Sequence, residues 1–452
     1  MEAPTSLLPV PFAAVETSLD PTSLAPLLAR PASPEEASPW TPVHTVYGGA
    51  QRFSHDVVAR VGRNALALLD SLAGSLDDLR SLPFGLDEAP DDAALDRVHR
   101  GLRAKLTREP VEDYRVDFED GFGPRSDADE DGAVVEAAKA MARAHREGAL
   151  PRGIGLRVKA LSGETAGRSA RTLDGFLTTL AKASGGAPIE GLVVTLPKVT
   201  ERAEVAALAA LLGRIERALG WADGSVGVEL MVETPRSLLG ADGAVALPGL
   251  VNAAGGRCRA VHLGAWDLTA AMGVGAAHQT LLHPYCDAAR ALMLLSLAGT
   301  GVRVVDGATN VMPVEPHRGS ELTAEQRAEN RAAVVGALSV MTRHWRHSTM
   351  MGVHQGWDLH PGQVMWRHAL VIAHAATAFP ATARRLRAFI GQAAQAVRAG
   401  AVFDDAATGQ GMLGDVLRAV DCGAVSEAEA VEAVGVPLDA LRSRSFAAIV
   451  GR

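Results

Sequence analysis

From Thr41 onward the chain repeats one unit: a short β-branched or apolar run, then an Ala- and Leu-rich stretch with helical spacing. The runs are Val43–Tyr47, Tyr114–Glu119, Gly155–Lys159, Gly191–Leu196, Gly227–Val232, Ala260–Gly264, Val302–Asp306 and Met350–His354. From the second onward they start 33 to 48 residues apart. That interval is the room a strand, a crossover helix and two loops need before the next parallel strand. Eight such units predict an α/β fold, a (β/α)8 TIM barrel; an open doubly wound sheet is the poorer alternative. Helices are expected over Asp56–Ser71, Gly132–Arg146, Glu201–Leu219, Asp287–Leu297 and Glu325–Arg343. The last is opened by a capping box from Thr323 to Gln326. The first interval, 71 residues, carries an insertion over Leu79–Pro110.

Two flanking segments break the repeat. Residues 1–40 have prolines at 4, 9, 11, 21, 26, 31, 34 and 39, and read as an irregular N-terminal arm. The barrel then spans 41–364. Residues 365–452 lack a convincing strand and read as a C-terminal helical extension. Within them Gly409-Gln-Gly411-Met-Leu-Gly414 matches G-x-G-x-x-G, but no strand precedes it, so it carries little weight as a dinucleotide site.

Composition narrows the function. With 48% apolar residues and 21% charged, the chain can bury a large core. Its 44 basic residues against 52 acidic ones leave a net charge of -8, which gives no footprint for nucleic acid. No apolar run is long enough to span a membrane, and the first basic residue is Arg30, so no secretory leader is expected. Cys258, Cys286 and Cys422 are scattered without CxxC spacing, which suits a reducing compartment. The expectation is a cytoplasmic enzyme on a small-molecule substrate, self-associating as a homo-oligomer. Only five of the basic residues are lysines: 105, 139, 159, 182 and 198. That limits any Schiff-base mechanism to few candidates.

Catalytic groups of such barrels stand at the C-terminal ends of strands. Here the runs end in Asp117-Phe118-Glu119-Asp120, Arg157-Val158-Lys159, Leu196-Pro197-Lys198, Val232-Glu233-Thr234, Gly264-Ala265-Trp266-Asp267, Asp306-Gly307 and Asp358-Leu359-His360. Polar residues at seven successive ends point to one functional mouth. Glu233 and Asp267, on neighbouring strands, suit a hard divalent ion such as Mg²⁺ or Mn²⁺; alternatively each caps a helix or pairs with Arg236 or Arg290. Glu119 offers a third ligand or an acceptor for a metal-bound water. Arg157 is shaped to clamp a carboxylate, or else it pairs with Asp117 or Glu119. Lys198 reads as a charged orienting residue. His344 and His347, beside Arg343 and Arg346, read as an exposed helix face.

These motifs, in order, resemble the citrate lyase beta-subunit-like family of the HpcH/HpaI aldolase and malate synthase superfamily. The resemblance runs from Val43 to Gln363 and rests on Asp117-Phe-Glu-Asp120, Leu156-Arg157-Val158, Leu196-Pro-Lys-Val199, Val232-Glu-Thr234, Leu263-Gly-Ala-Trp-Asp-Leu268 and Leu359-His-Pro-Gly-Gln363. It implies a Mg²⁺-dependent carbon–carbon lyase acting on a 2-oxo or hydroxy acid through a metal-stabilised enolate, with a coenzyme A thioester as one form of substrate. It implies Glu233 and Asp267 as metal ligands. Arg157, Glu119, Asp120, Lys198 and His360 would be catalytic. Arg157, Lys159, Asp117, Gly264, Ala265 and Trp266 would line the substrate. Lys159 stands where that branch commonly has Asn; the branch often draws an acid/base aspartate from a neighbouring subunit's C-terminal segment, and Asp404 and Asp405 lie in that region without matching its pattern. A pyruvate-type class II aldolase on a free aldehyde, and a non-catalytic binding protein on the same barrel, are the alternatives.

Overall fold

Eight parallel strands pair in chain order, and the last closes on the first. They are β1 (His44–Gly49), β2 (Asp113–Asp117), β3 (Gly153–Arg157), β4 (Leu192–Leu196), β5 (Gly227–Val232), β6 (Cys258–Leu263), β7 (Arg303–Ala308) and β8 (Gln355–Asp358). The computed structural model describes residues 40–87, 90–392, 397–399, 402–404, 406–443 and 449. Apart from Trp40, the expected N-terminal arm lies outside the described residues. The closed (β/α)8 barrel is the predicted fold. All five residues of β4 are buried, as a strand covered on both faces requires, and this is why it reads as an apolar run interrupted by Thr195 alone.

The barrel interior is not wholly apolar. Arg115 of β2 reaches across to Glu229 of β5, a strand it does not neighbour, with Nε donating to Oε2 (2.8 Å) and Nη2 to Oε1 (2.7 Å). Asp113 also binds this guanidinium, and Thr195 donates to Glu229 Oε2 at 2.9 Å. His262 Nε2 lies 3.2 Å from the same oxygen. Gly155 makes room: a Cβ there would collide with the Val193 carbonyl and approach Arg115 Cδ to 3.1 Å.

The eighth strand departs from expectation. Residues 350–354, expected as the strand, end a helix and turn, because the helix Ala324–Met350 runs past its expected end at Arg343. β8 follows as Gln-Gly-Trp-Asp. It is polar because its partners are polar. Gln355 Nε2 donates to Thr45 Oγ1 (2.9 Å), Trp357 Nε1 to His262 Nδ1 (3.0 Å), and Asp358 receives Arg367 Nη2 (2.8 Å). The expected capping box is present: Thr323 Oγ1 accepts from Gln326 N at 3.2 Å, and Gln326 Oε1 from Thr323 N at 3.0 Å. Thr323→Ala should lower stability by about 1 kcal/mol in urea unfolding, and an unchanged midpoint would show that the cap contributes nothing.

The insertion between β1 and β2 folds as helices Leu76–Arg80 and Asp92–Arg108. The helix after β8, Pro361–Gly391, is continuous and packs on Asp92–Arg108 and on Ala406–Asp421. The C-terminal region is not purely helical: Val397–Ala399 and Val402–Asp404 form an antiparallel ribbon. A strand, Val402–Asp404, does precede the helix Ala406–Asp421, but the G-x-G-x-x-G match lies inside that helix and not in the turn between the two, where such a motif would have to stand. His344 is also not exposed. It is 6% exposed, between Thr280 Oγ1 (3.2 Å) and Thr309 Oγ1 (3.0 Å), while His347 meets Asp287 at 2.7 Å. Among the described residues no helix is long and apolar enough to cross a membrane.

Candidate active site at the barrel mouth

Asp117 ends β2, and its carboxylate organises the turn after it. Oδ1 accepts the Glu119 N–H (3.0 Å) and Oδ2 the Gly121 N–H (2.8 Å). Only glycine fits at 121, since a Cβ would stand 2.5 Å from Asp117 Oδ2. The same two oxygens take Arg157 Nε (2.7 Å) and Nη2 (2.5 Å), a two-point pairing across β2 and β3. Arg157 Nη1 then faces Glu119 Oε2 (3.0 Å) and Asp120 Oδ2 (3.5 Å). Its guanidinium lies 5.2 Å from the centre of the Tyr47 ring. Burial alone would lower the Arg157 pKa, but Asp117 and Glu119 raise it, so its charge is permanent.

Lys198, just after β4, is the one non-glycine residue with positive φ among the described residues, at 53°. That left-handed backbone is disfavoured for a side chain with a Cβ. It is held because the Lys198 N–H donates to Glu233 Oε1 at 2.5 Å while the ammonium turns to the other carboxylates. Nζ bonds Glu119 and lies 3.6 Å from Asp120 Oδ1 and 4.0 Å from Asp267 Oδ1. Glu233 itself is 2% exposed. Burial pushes its carboxyl up to about 7; Lys198 opposes that shift and Asp267 adds to it. Burial likewise raises Glu119, against the pull of Arg157. Asp267, in the first turn of the helix Ala265–Ala271, is half exposed. Gly264 lets Glu233 lie against the backbone, because a Cβ there would collide with its Oε2.

Seven of the expected residues therefore stand together: Asp117, Glu119, Asp120, Arg157, Lys198, Glu233 and Asp267. Arg290 is not their partner; it binds Asp306 (3.0 Å) and Asp287 (2.7 Å). Lys159 faces elsewhere, donating to the Phe118 carbonyl (2.6 Å) and Glu130 (2.7 Å) on the helix Asp127–Arg146. His360 caps the helix Pro361–Gly391, its Nδ1 accepting from Gly362 N at 3.1 Å, and burial lowers its pKa. No hydrogen bond or ion pair among the described residues joins His360 to the carboxylates. Ala265 is buried, and the Trp266 indole N–H is buried without a partner among the described residues. Asp405 lies outside the described residues, as does the side chain of Asp404. Sequence reasoning missed Tyr47, the aromatic floor under Arg157, although an aromatic at the mouth end of the first strand was a usable signal.

The donor set fits a hard divalent ion. Both candidate ligands are carboxylates, and Glu233 is buried in a cradle that a Cβ at 264 would fill. Among the described residues no group of three or more His, Cys, Asp or Glu converges as a full cage, so water or substrate would complete the shell. The 950 Å³ cavity lined by Trp40, His354, His374 and Arg418 is a separate feature near the N-terminal end of the barrel, and none of the seven mouth residues lines it.

Fold and mouth together define a class: a parallel (β/α)8 barrel whose C-terminal rim carries an arginine locked among carboxylates. The chain belongs to the family described as Domain of unknown function (DUF6986), whose profile matches residues 27–449. No curated protein matches the sequence. Among solved structures, a citrate lyase from Burkholderia xenovorans LB400 is similar, with a TM-score of 0.51 and 18% identity, over 87% of this chain and 96% of that one. Haloferax volcanii malate synthase in its magnesium/glyoxylate complex gives 0.43 at 16% identity, over 72% and 74%. Its pyruvate/acetyl-CoA ternary complex gives 0.42 at 14%, over 84% and 91%. At such identities the likeness to the citrate lyase is one of fold.

Proposed function

We propose that this chain is a Mg²⁺-dependent carbon–carbon lyase that forms or cleaves a bond next to a 2-oxo or hydroxy acid through an enolate. One observation carries the reading: the permanent cation Arg157 shares a cluster with Glu233 and Asp267 at the mouth. Glu233 and Asp267 would hold the ion, and when bound it supplies Lewis-acid polarisation of a 2-oxo carbonyl. Arg157 binds the acid's carboxylate and places fixed positive charge where the enolate oxygen develops. Asp117 and Glu119 fix the direction of that charge before substrate arrives, so little reorganisation is needed during the reaction. The Tyr47 ring closes the floor beneath it. The fold shared with a citrate lyase makes a hydroxyacyl thioester the first substrate to try, its coenzyme A form included.

The test is deuterium uptake at the methyl of pyruvate in the presence of Mg²⁺, followed by NMR. Glu233→Gln and Asp267→Asn should each slow uptake by about a hundredfold or more. Equal uptake by the wild type and both variants would overturn the reading.

A further inference from the structure

The Lys198 ammonium sits where a divalent ion would be expected to neutralise charge. Its Nζ bonds Glu119 and lies within 4.0 Å of Asp120 and Asp267, while its own backbone N–H engages Glu233. Among the described residues, five carboxylates (Asp117, Glu119, Asp120, Glu233 and Asp267) meet two cations at this mouth, Arg157 and Lys198. Arg157 is spoken for by Asp117 on its far side. Among the described residues, Lys198 alone faces both the Glu119–Asp120 pair and the candidate ligand Asp267.

From this arrangement we infer that Lys198 is an internal counter-cation, which holds the carboxylates in the metal-free protein and is displaced when a divalent ion binds. The inference rests on Glu233 and Asp267 being the metal ligands. Three features fit the role. The backbone of Lys198 is pinned by Glu233, so its strained conformation need not change while the side chain moves. The side chain is 38% exposed and has four carbons of flexible stem, so a solvent-facing position is within reach. The residue type also fits. Five of the 44 basic residues are lysines, and yet a lysine stands here. Lysine is a compact, strongly hydrated point charge, whereas the planar fork of arginine is held by two-point pairing and leaves less readily.

The experiment uses the full chain, stripped with a chelator and titrated with Mn²⁺ by calorimetry and by the loss of the free-ion EPR signal. Lys198→Met should bind Mn²⁺ about tenfold or more tightly than wild type, as removal of a like charge a few ångströms away requires. Lys198→Arg, which keeps the charge, should show no such gain. Without metal Lys198→Met should melt at a lower temperature than wild type, and Mn²⁺ should raise its melting point by more. Lys198→Gln repeats the titration should the methionine variant fail to fold. Equal or weaker Mn²⁺ binding by the neutral variants, with Glu233→Gln abolishing it, would overturn the counter-cation and leave the ligand assignment standing. Wild-type affinity in Glu233→Gln would overturn the ligand assignment, and the counter-cation with it.

Discussion

Glu229→Leu should destabilise the barrel by about 3–5 kcal/mol, measured as a lowered free energy of unfolding in urea. The loss comes from what is left behind. Arg115 is 1% exposed and cannot shed its charge, so without Glu229 its one anionic partner among the described residues is Asp113. Thr195 loses its acceptor, and His262 loses the carboxylate that lies 3.2 Å from its Nε2. Burial alone would raise the Glu229 carboxyl, yet Arg115 and His262 hold it well below the ordinary carboxylate range, which measures how strongly the cluster depends on its charge. Removing both charges is a different matter. Arg115→Met combined with Glu229→Leu should recover only part of the loss, because the pair's own charges are gone but Asp113, 1% exposed, is left without its guanidinium. A double variant no more stable than Glu229→Leu would show that the pair is not a closed unit.

The second large effect is acid sensitivity that begins near pH 6.5. Burial pushes His344 down to about 4 and His354 also to about 4. Above pH 6.5 both folded and unfolded chains carry these rings neutral, and the full stability is present. Between pH 6.5 and 4 the unfolded chain takes up protons that the folded chain refuses, so stability falls as pH falls. Below about 4 the loss is complete. For His344, which is 6% exposed, the shift from 6.5 to about 4 amounts to about 3 kcal/mol at most. Buried carboxylates act lower on the scale. Burial would raise Asp358, but Arg367 and His44 hold it down to about 2, so its contribution is lost only below pH 3.8. Urea midpoints from pH 7.5 to 4.5 separate the two windows. Glu233, pushed up to about 7, adds a slope of the opposite sign over this range, so the readout is a difference: the wild-type midpoint should fall relative to that of His344→Gln as pH drops, and parallel profiles would contradict the effect of burial.

The barrel was readable because short apolar runs recur at a regular interval with helical stretches between them, and β4, Leu-Val-Val-Thr-Leu, is the plainest case. β8 was missed for the opposite reason. Its Gln355, Trp357 and Asp358 satisfy Thr45, His262 and Arg367, and hydropathy cannot see partners that lie more than 90 residues away in two of those three cases. The charged mouth could be picked out because carboxylates and cations at the ends of apolar runs stand out against them. Arg115, Glu229 and His262 lie in the middle of strands, where the pattern reading looks only for apolar side chains. His344 was misjudged from its neighbours: Arg343 and Arg346 face solvent, but a helix turns about 100° per residue, and His344 with Trp345 faces inward. The left-handed backbone of Lys198 left no mark in the sequence, since neither the proline before it nor the valine after it dictates the φ of the residue between them.

The helix Pro361–Gly391 begins at the cap formed by His360 and runs 31 residues, a rod of about 45 Å. Within it Trp366, Leu370, Leu386 and Phe389 are fully buried. Anyone trimming this protein to a minimal barrel would therefore have to cut through a single helix and strip an apolar flank from the helix Asp92–Arg108. The smallest piece worth expressing retains both, and the insertion and the C-terminal region are best treated as parts of one body with the barrel.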